Sequence, residues 1–389
     1  MKRILFYTIF LTQGGGIEVA TINYMKELIK EGYKVDLYVD YNMGKDNIRE
    51  KEIKKISKEI NIKYLKSEKI SKIIYKLRTL GKRNRIFNFP MYFLIILSDY
   101  FIWKKELKII EKIKYDTTIT FFQFLPSYIT KLKGPTHLIF LHGAVSNFFI
   151  GIRKYFKNSY LKKLKKYNYV CTVSQGIAKE LIEFFPILKG KERIVYNPIE
   201  FDLIENKSKD ISELVKEEEK LIKESYICSV GRLDEKDKDF TTLIKAFNIL
   251  IKENNVKEKL FLIGDGPDKL KLEGLVKELG IASNVKFLGK KTNPYIWMKN
   301  SRLFVLSSKS EGFGLVLLEA LFLGKKVISS DCPVGPKEIL KNGKYGSLFT
   351  VGDIEGLSKL LKEKLLEKEL ENAEEIKKYI LSKFVNKIF

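Results

Sequence analysis

The chain has 389 residues, 45% of them hydrophobic and 31% charged, with a formal net charge of +24. That length accommodates two domains with cores of their own, and the composition excludes a disordered chain. Two histidines and three widely separated cysteines give no basis for a histidine zinc site or a disulfide framework, and they fit a reducing compartment.

The charge is uneven. Residues 1–200 carry about +20 and residues 201–389 about +4. A lysine bias of the whole chain would act on both halves, so the asymmetry points to an anionic partner for the first half. Only nine of the 72 basic residues are arginine, which favours an anionic membrane surface over nucleic acid, where arginine forks are the usual readers.

The basic start and apolar run at 1–11 read as a first β-strand, 3–10, rather than a signal peptide. The apolar part is short, and Gly14, Gly15 and Gly16 stand where a cleavage region would be. A helical pattern covers 17–30, so the glycines form a loop between strand and helix start, an anion site by geometry. The wording is neither a G-x-G-x-x-G fingerprint nor a P-loop. Further strands are expected at 34–40, 116–122, 137–142, 169–174 and 193–197. A second series follows at 226–233, 259–264, 285–288, 303–308, 326–330 and 347–350, with helices at 240–251, 269–279 and 315–323. This alternation predicts an α/β protein with parallel sheets covered by helices, in two Rossmann-like domains.

The expected division is a first domain over 1–200, a linker over 201–225, a second domain over 226–370 and a last helix over 371–389. That helix has a face to bury in Ile376, Tyr379, Ile380, Phe384 and Ile388. Residues 41–114 interrupt the first domain with a basic, aromatic insertion. Within it, 83–105 is apolar and flanked by Arg and Lys, but Pro90 and Asp99 argue against a membrane span, which needs about 20 apolar residues. Two readings stay open: an interfacial helix on anionic lipid, or a core helix with basic ends.

Several positions have residues suited to chemistry. His142 closes the strand at 137–142, and strand C-terminal ends are where open α/β sheets bind ligands. His137 lies on the other side of that strand and reads as structural. Arg232 follows the strand at 226–233, with Lys236 and Lys238 beyond it; such cations could neutralise a diphosphate leaving group. Asp237 and Asp239 flank Lys238 as a D-x-D, but in a charged loop rather than at a strand end, so no metal is expected. The run at 303–308 leads into Glu311, Gly312, Phe313, Gly314 and Leu315, and Glu319 lies one turn inside the next helix. Two acids thus flank a glycine turn whose free amides suit an anion.

Glu311 and Glu319, with seven residues between them in this turn and helix, resemble the E-x7-E motif of GT-B glycosyltransferases, family 4 (group 1). Gly-Gly-Ile-Glu-Val-Ala from Gly15 is similar to that family's wording. The block Asp331-Cys332-Pro333-Val334-Gly335-Pro336-Lys337-Glu338-Ile339-Leu340 resembles its surface-polysaccharide branch. The resemblance implies two Rossmann-like domains facing each other across a cleft, with the last helix crossing back to the first. It implies a retaining, metal-independent transferase with no cofactor, in the cytoplasm at the inner face of the membrane. The donor would be a nucleotide-sugar, UDP-linked, carrying a hexose or N-acetylhexosamine, and the acceptor a lipid-linked or growing surface glycan. Glu311 and His142 would be catalytic. Arg232, Lys238, Gly15 and Gly16 would meet the donor diphosphate, and the backbone of Gly312, Phe313, Gly314 and Leu315 the donor sugar and phosphate. Glu319 would hold the ribose. The family's lysine falls five residues after the arginine, where this chain has Asp237; aligning Lys-Asp-Phe-Thr-Thr-Leu-Ile favours Lys238 and leaves Lys236 open. The alternatives are a nucleotide-sugar 2-epimerase on the same scaffold and a non-catalytic basic nucleic-acid-binding module.

Overall fold

The computed structural model describes residues 1–12, 16–57, 60–83, 88–149, 155–254, 256–367 and 373–384. The chain divides into two compact units, the first formed mainly by residues up to Pro198 and the second mainly by residues from Ile199 onward.

The first unit runs β1 (Arg3–Thr8), α1 (Gly16–Lys30), β2 (Lys34–Tyr41), α2 (Ile48–Ile56), β3 (Asn61–Lys66), α3 (Glu68–Arg83), α4 (Asn88–Ile113), β4 (Thr117–Thr120), β5 (Thr136–Leu141), α5 (Lys157–Leu164), β6 (Tyr169–Thr172), α6 (Gln175–Phe184) and β7 (Glu192–Ile194). Its sheet has the order β3-β2-β1-β4-β5-β6-β7, all parallel. In β1 only Arg3 is not fully buried, as expected of a central parallel strand covered on both faces.

β3 was not expected from the sequence. Its lysines, Lys63 and Lys66, break the apolar run that marks the other strands. The structure shows where they go. Lys66 is 1% exposed and reaches Asp40 of β2 at 2.5 Å and Asp99 of α4 at 2.6 Å, while Lys63 meets Glu106 of α4 at 2.5 Å. The Tyr7 hydroxyl donates to the same Asp40 oxygen. Edge strand and long helix are therefore fastened by charge.

The second unit opens with α7 (Phe201–Lys207) and α8 (Lys216–Leu221), so the stretch read as a linker holds two short helices. Then follow β8 (Tyr226–Val230), α9 (Phe240–Asn254), β9 (Lys259–Ile263), α10 (Lys269–Glu278), β10 (Val285–Gly289), α11 (Tyr295–Asn300), β11 (Leu303–Leu306), α12 (Leu315–Phe322), β12 (Val327–Ser330), α13 (Pro336–Ile339), β13 (Ser347–Phe349), α14 (Ile354–Leu366) and α15 (Ala373–Phe384). Its six parallel strands have the order β10-β9-β8-β11-β12-β13. One core cluster joins α9, α10 and α14 to the strands through residues such as Phe247, Leu262 and Leu361. α15 buries Ile376, Ile380 and Phe384 and packs on α12, with the Phe384 ring 5.3 Å from Phe313.

In each sheet the strand order reverses once, between β1 and β4 and between β8 and β11. Loops leaving neighbouring strands there diverge to opposite faces and open a crevice at the carboxyl ends, the place where such sheets bind ligands.

Candidate active site

In the second unit the crevice is bordered by the segments after β8 and β11. After β11, Ser308 forms an isolated antiparallel bridge with Lys238, which draws the loop before α9 across the end of the sheet. The Lys238 stem then passes over Gly231, its Cε 3.5 Å from where a Cβ on that residue would sit. Its ammonium ends on the Glu311 carboxylate, and Ser308 Oγ donates to the same oxygen at 2.7 Å. Ser308 is held in turn by Ser330 of β12: the Ser308 amide donates to Ser330 Oγ at 2.9 Å, and that hydroxyl donates to the Ser308 carbonyl at 2.7 Å.

This settles the position of the two lysines. Lys238 lies on Glu311 with its side chain 17% exposed, whereas Lys236 is exposed and only its backbone amide bonds Asp234. Arg232 is on the surface side of the same loop, paired with Asp234. Of the D-x-D, Asp237 is exposed, while Asp239 is buried at the start of α9 and accepts from Thr242 Oγ1 at 2.8 Å. Its carboxylate is engaged in holding the helix start.

The glycine turn has a strict conformational requirement at two positions. Gly314, the N-cap of α12, has φ 95°, a left-handed conformation that a side chain would strain. Gly335 has φ 98°, and a Cβ there would overlap the Phe313 carbonyl oxygen. The 331–340 block thus shapes the turn from behind. Glu319 lies partly buried on α12, and burial pushes its carboxyl up to about 7. Among the described residues no hydrogen bond or ion pair engages that carboxyl. Cys332 is buried and its thiol pushed up to about 12 by burial first and by Glu311 second, which makes it unreactive.

In the first unit, His142 follows β5. Its Nε2 lies 3.1 Å from the Phe121 carbonyl, and the ring lies 4.4 Å from the Phe121 ring. Burial lowers its pKa to about 4, so it is neutral at physiological pH. A carbonyl partner requires the proton on Nε2, which leaves Nδ1 as an acceptor. Neutral His142 can thus accept a hydrogen bond from a hydroxyl at Nδ1 and does not balance a phosphate by charge. Glu180 of α6, not singled out in the sequence, fixes the next loop by accepting from the Val145 amide at 2.6 Å and Ser146 Oγ at 3.1 Å. His137 sits between Thr118 Oγ1 at 2.6 Å and the Leu132 carbonyl at 3.1 Å, a structural setting. Gly16 begins α1, with open space around its Cα. Gly15 lies outside the described residues.

Residues 14–203 match the family model described as Glycosyltransferase Family 4, and residues 210–382 match that described as glycosyl transferases group 1. The chain is 32% identical to an uncharacterized glycosyltransferase of Methanocaldococcus jannaschii, over 61% of this chain and 60% of that protein. It is 30% identical to N-acetylgalactosamine-N,N'-diacetylbacillosaminyl-diphospho-undecaprenol 4-alpha-N-acetylgalactosaminyltransferase of Campylobacter jejuni, over 51% of this chain and 52% of that one. These alignments span between half and three fifths of the relatives' lengths. The crystal structure of Anabaena HepE in complex with UDP has the same fold, with a TM-score of 0.74, 18% identity, and coverage of 99% of this chain and 96% of that one. The fold is of the GT-B class. The chain belongs to the group 1 glycosyltransferases.

Proposed function

We propose that the protein transfers a hexose or N-acetylhexosamine from a UDP-linked donor to a lipid-linked or growing surface glycan, retaining the anomeric configuration and using no metal or cofactor. The observation that carries this reading is the Lys238–Glu311–Ser308 cluster at the switch point of the second sheet, beside the start of α12. A diphosphate bound there would exchange with the carboxylates that now hold Lys238 and Arg232, and cations so engaged would stabilise it as it departs. Glu311, released from full engagement with Lys238, then accepts hydroxyls of the donor sugar, and Glu319 accepts those of the ribose. His142 Nδ1 accepts a further hydroxyl.

The reaction forms a bond from the acceptor oxygen to the anomeric carbon and breaks that carbon's bond to the phosphate oxygen. The acceptor proton passes to the departing phosphate oxygen on the same face. The UDP bound by HepE supports the choice of nucleotide, and the diphospho-undecaprenol in the name of the Campylobacter relative supports a lipid-linked acceptor. Such an acceptor implies association with the cytoplasmic face of the membrane, and the basic first half supports that place. A thermal-shift panel tests the donor reading, because a ligand bound only by the native state stabilises it. UDP and UDP-sugars should raise the melting temperature and GDP or ADP should not; a shift with GDP alone overturns the choice of nucleotide.

A further inference from the structure

α4 has two unlike faces. Ile95, Asp99, Trp103, Glu106 and Ile110, spaced by three or four residues, turn inward. Trp103 meets the Tyr7 ring edge-on at 5.1 Å, and Ile95 packs beside Ile74 of α3 at the end of β2. The opposite face exposes Phe93 (59%), Ile96 (63%), Leu97, Tyr100 and Phe101 (60%) in successive turns. Lys104, Lys105 and Lys108 continue the exposed side along the helix. α3, packed alongside, adds exposed Ile70 and Ile73 with Lys69, Lys72 and Lys76.

Single exposed apolar residues need no explanation, but a contiguous set of this size does. The distribution of acids narrows what covers it. Asp99 and Glu106 are both turned inward on to lysines of β3; the exposed acids are Glu111 on α4 and Glu68 on α3, the latter paired with Lys72 at 2.5 Å, and the lysines outnumber them. Aromatic and aliphatic side chains at one end and lysines along the rest suit the boundary between acyl chains and anionic headgroups. No helix among the described residues is long and apolar enough to cross a membrane, so the helix would lie on the surface.

We propose that the outer face of α3 and α4 docks on an anionic lipid bilayer. This deepens the reading of a lipid-linked acceptor, and rests on it for its purpose. Flotation of the full chain with vesicles of phosphatidylcholine, with and without phosphatidylglycerol, tests it. The wild type should float with the anionic vesicles. Leu97→Glu with Phe101→Glu, and separately Lys104→Glu with Lys108→Glu, should each lower that recovery by on the order of tenfold. Equal recovery of either pair with the wild type overturns the surface, as does a wild-type dimer that Leu97→Glu with Phe101→Glu splits, since the occupant is then a second copy. The UDP thermal shift, measured on the same samples, keeps the two readings apart: its loss in the wild type fails the donor reading alone, and its retention in non-floating variants shows an intact fold.

Discussion

Lys66 and Lys238 both pair with carboxylates, in settings that differ. Lys66 sits 1% exposed between Asp40 and Asp99, while Lys238 sits 17% exposed on Glu311 at the mouth of a sheet. The chemistry of the pairs is alike. What differs is access. A buried ion cluster cannot exchange partners with water or ligand, so it works as a fastener, here between β3, β2 and α4. A pair at a crevice stays within reach of solvent and ligand, and in the proposed function it exchanges its carboxylate for the diphosphate.

The largest effect should come from breaking the buried cluster. Lys66→Ala leaves two uncompensated carboxylates, a change that costs about 3–5 kcal/mol. Thermal unfolding should show a fall of roughly 10 °C or more. A fall of under a degree would mean that the cluster fastens nothing. Glu311 of the open pair and the nearby Arg232 should behave in the reverse way. Glu311→Gln and Arg232→Ala should each lower turnover by about 10²–10³-fold, with melting within a degree or two of wild type. Wild-type-like turnover in a donor-transfer assay would remove both residues from the chemistry.

A smaller effect concerns Glu319. Burial raises its carboxyl to about 7, above its ordinary value of 4.5. A group raised in this way contributes stability below its unfolded pKa and loses it as pH rises through the folded value. The empty protein should therefore lose stability from this group between pH 4.5 and 7. Ribose hydroxyls need the ionised form, so donor affinity should weaken as pH falls below 7, by up to about tenfold per unit. Glu319→Gln should flatten the profile in calorimetric titrations; an unchanged slope would take Glu319 out of the site. Smallest of all is Asp234→Asn. It frees the exposed Arg232 from a surface pair worth about 0–1 kcal/mol, so UDP should bind at most a few-fold tighter. A weaker complex would show that Asp234 helps rather than competes.

The same contrast explains what could be read from the sequence. Central strands such as β1 and β11 were legible because buried parallel strands are nearly continuous apolar runs. β3 was not, because its lysines find their carboxylates on elements distant in sequence, and no local pattern records that. Segment 83–105 supported two readings, and residues 84–87 of it lie outside the described ones; α4, from 88 on, has one face packed towards the sheet and another exposed. The placing of Glu311 and Glu319 around a glycine turn was legible in the sequence. That Lys238 rather than Lys236 lies on Glu311 follows from the bridge to Ser308, and Ser308 and Ser330 themselves gave no signal beyond ending apolar strands.

The central claim is that the open pair of the second unit is the diphosphate site. Calorimetric titration of UDP into wild type, Lys236→Ala and Lys238→Ala measures it directly. A charge-assisted contact is worth about 1.5–3 kcal/mol, so Lys238→Ala should weaken binding by roughly 10–100-fold. Lys236→Ala should bind UDP within about twofold of wild type, as expected for an exposed charge. Equal affinity in all three proteins, or loss confined to Lys236→Ala, would contradict the account.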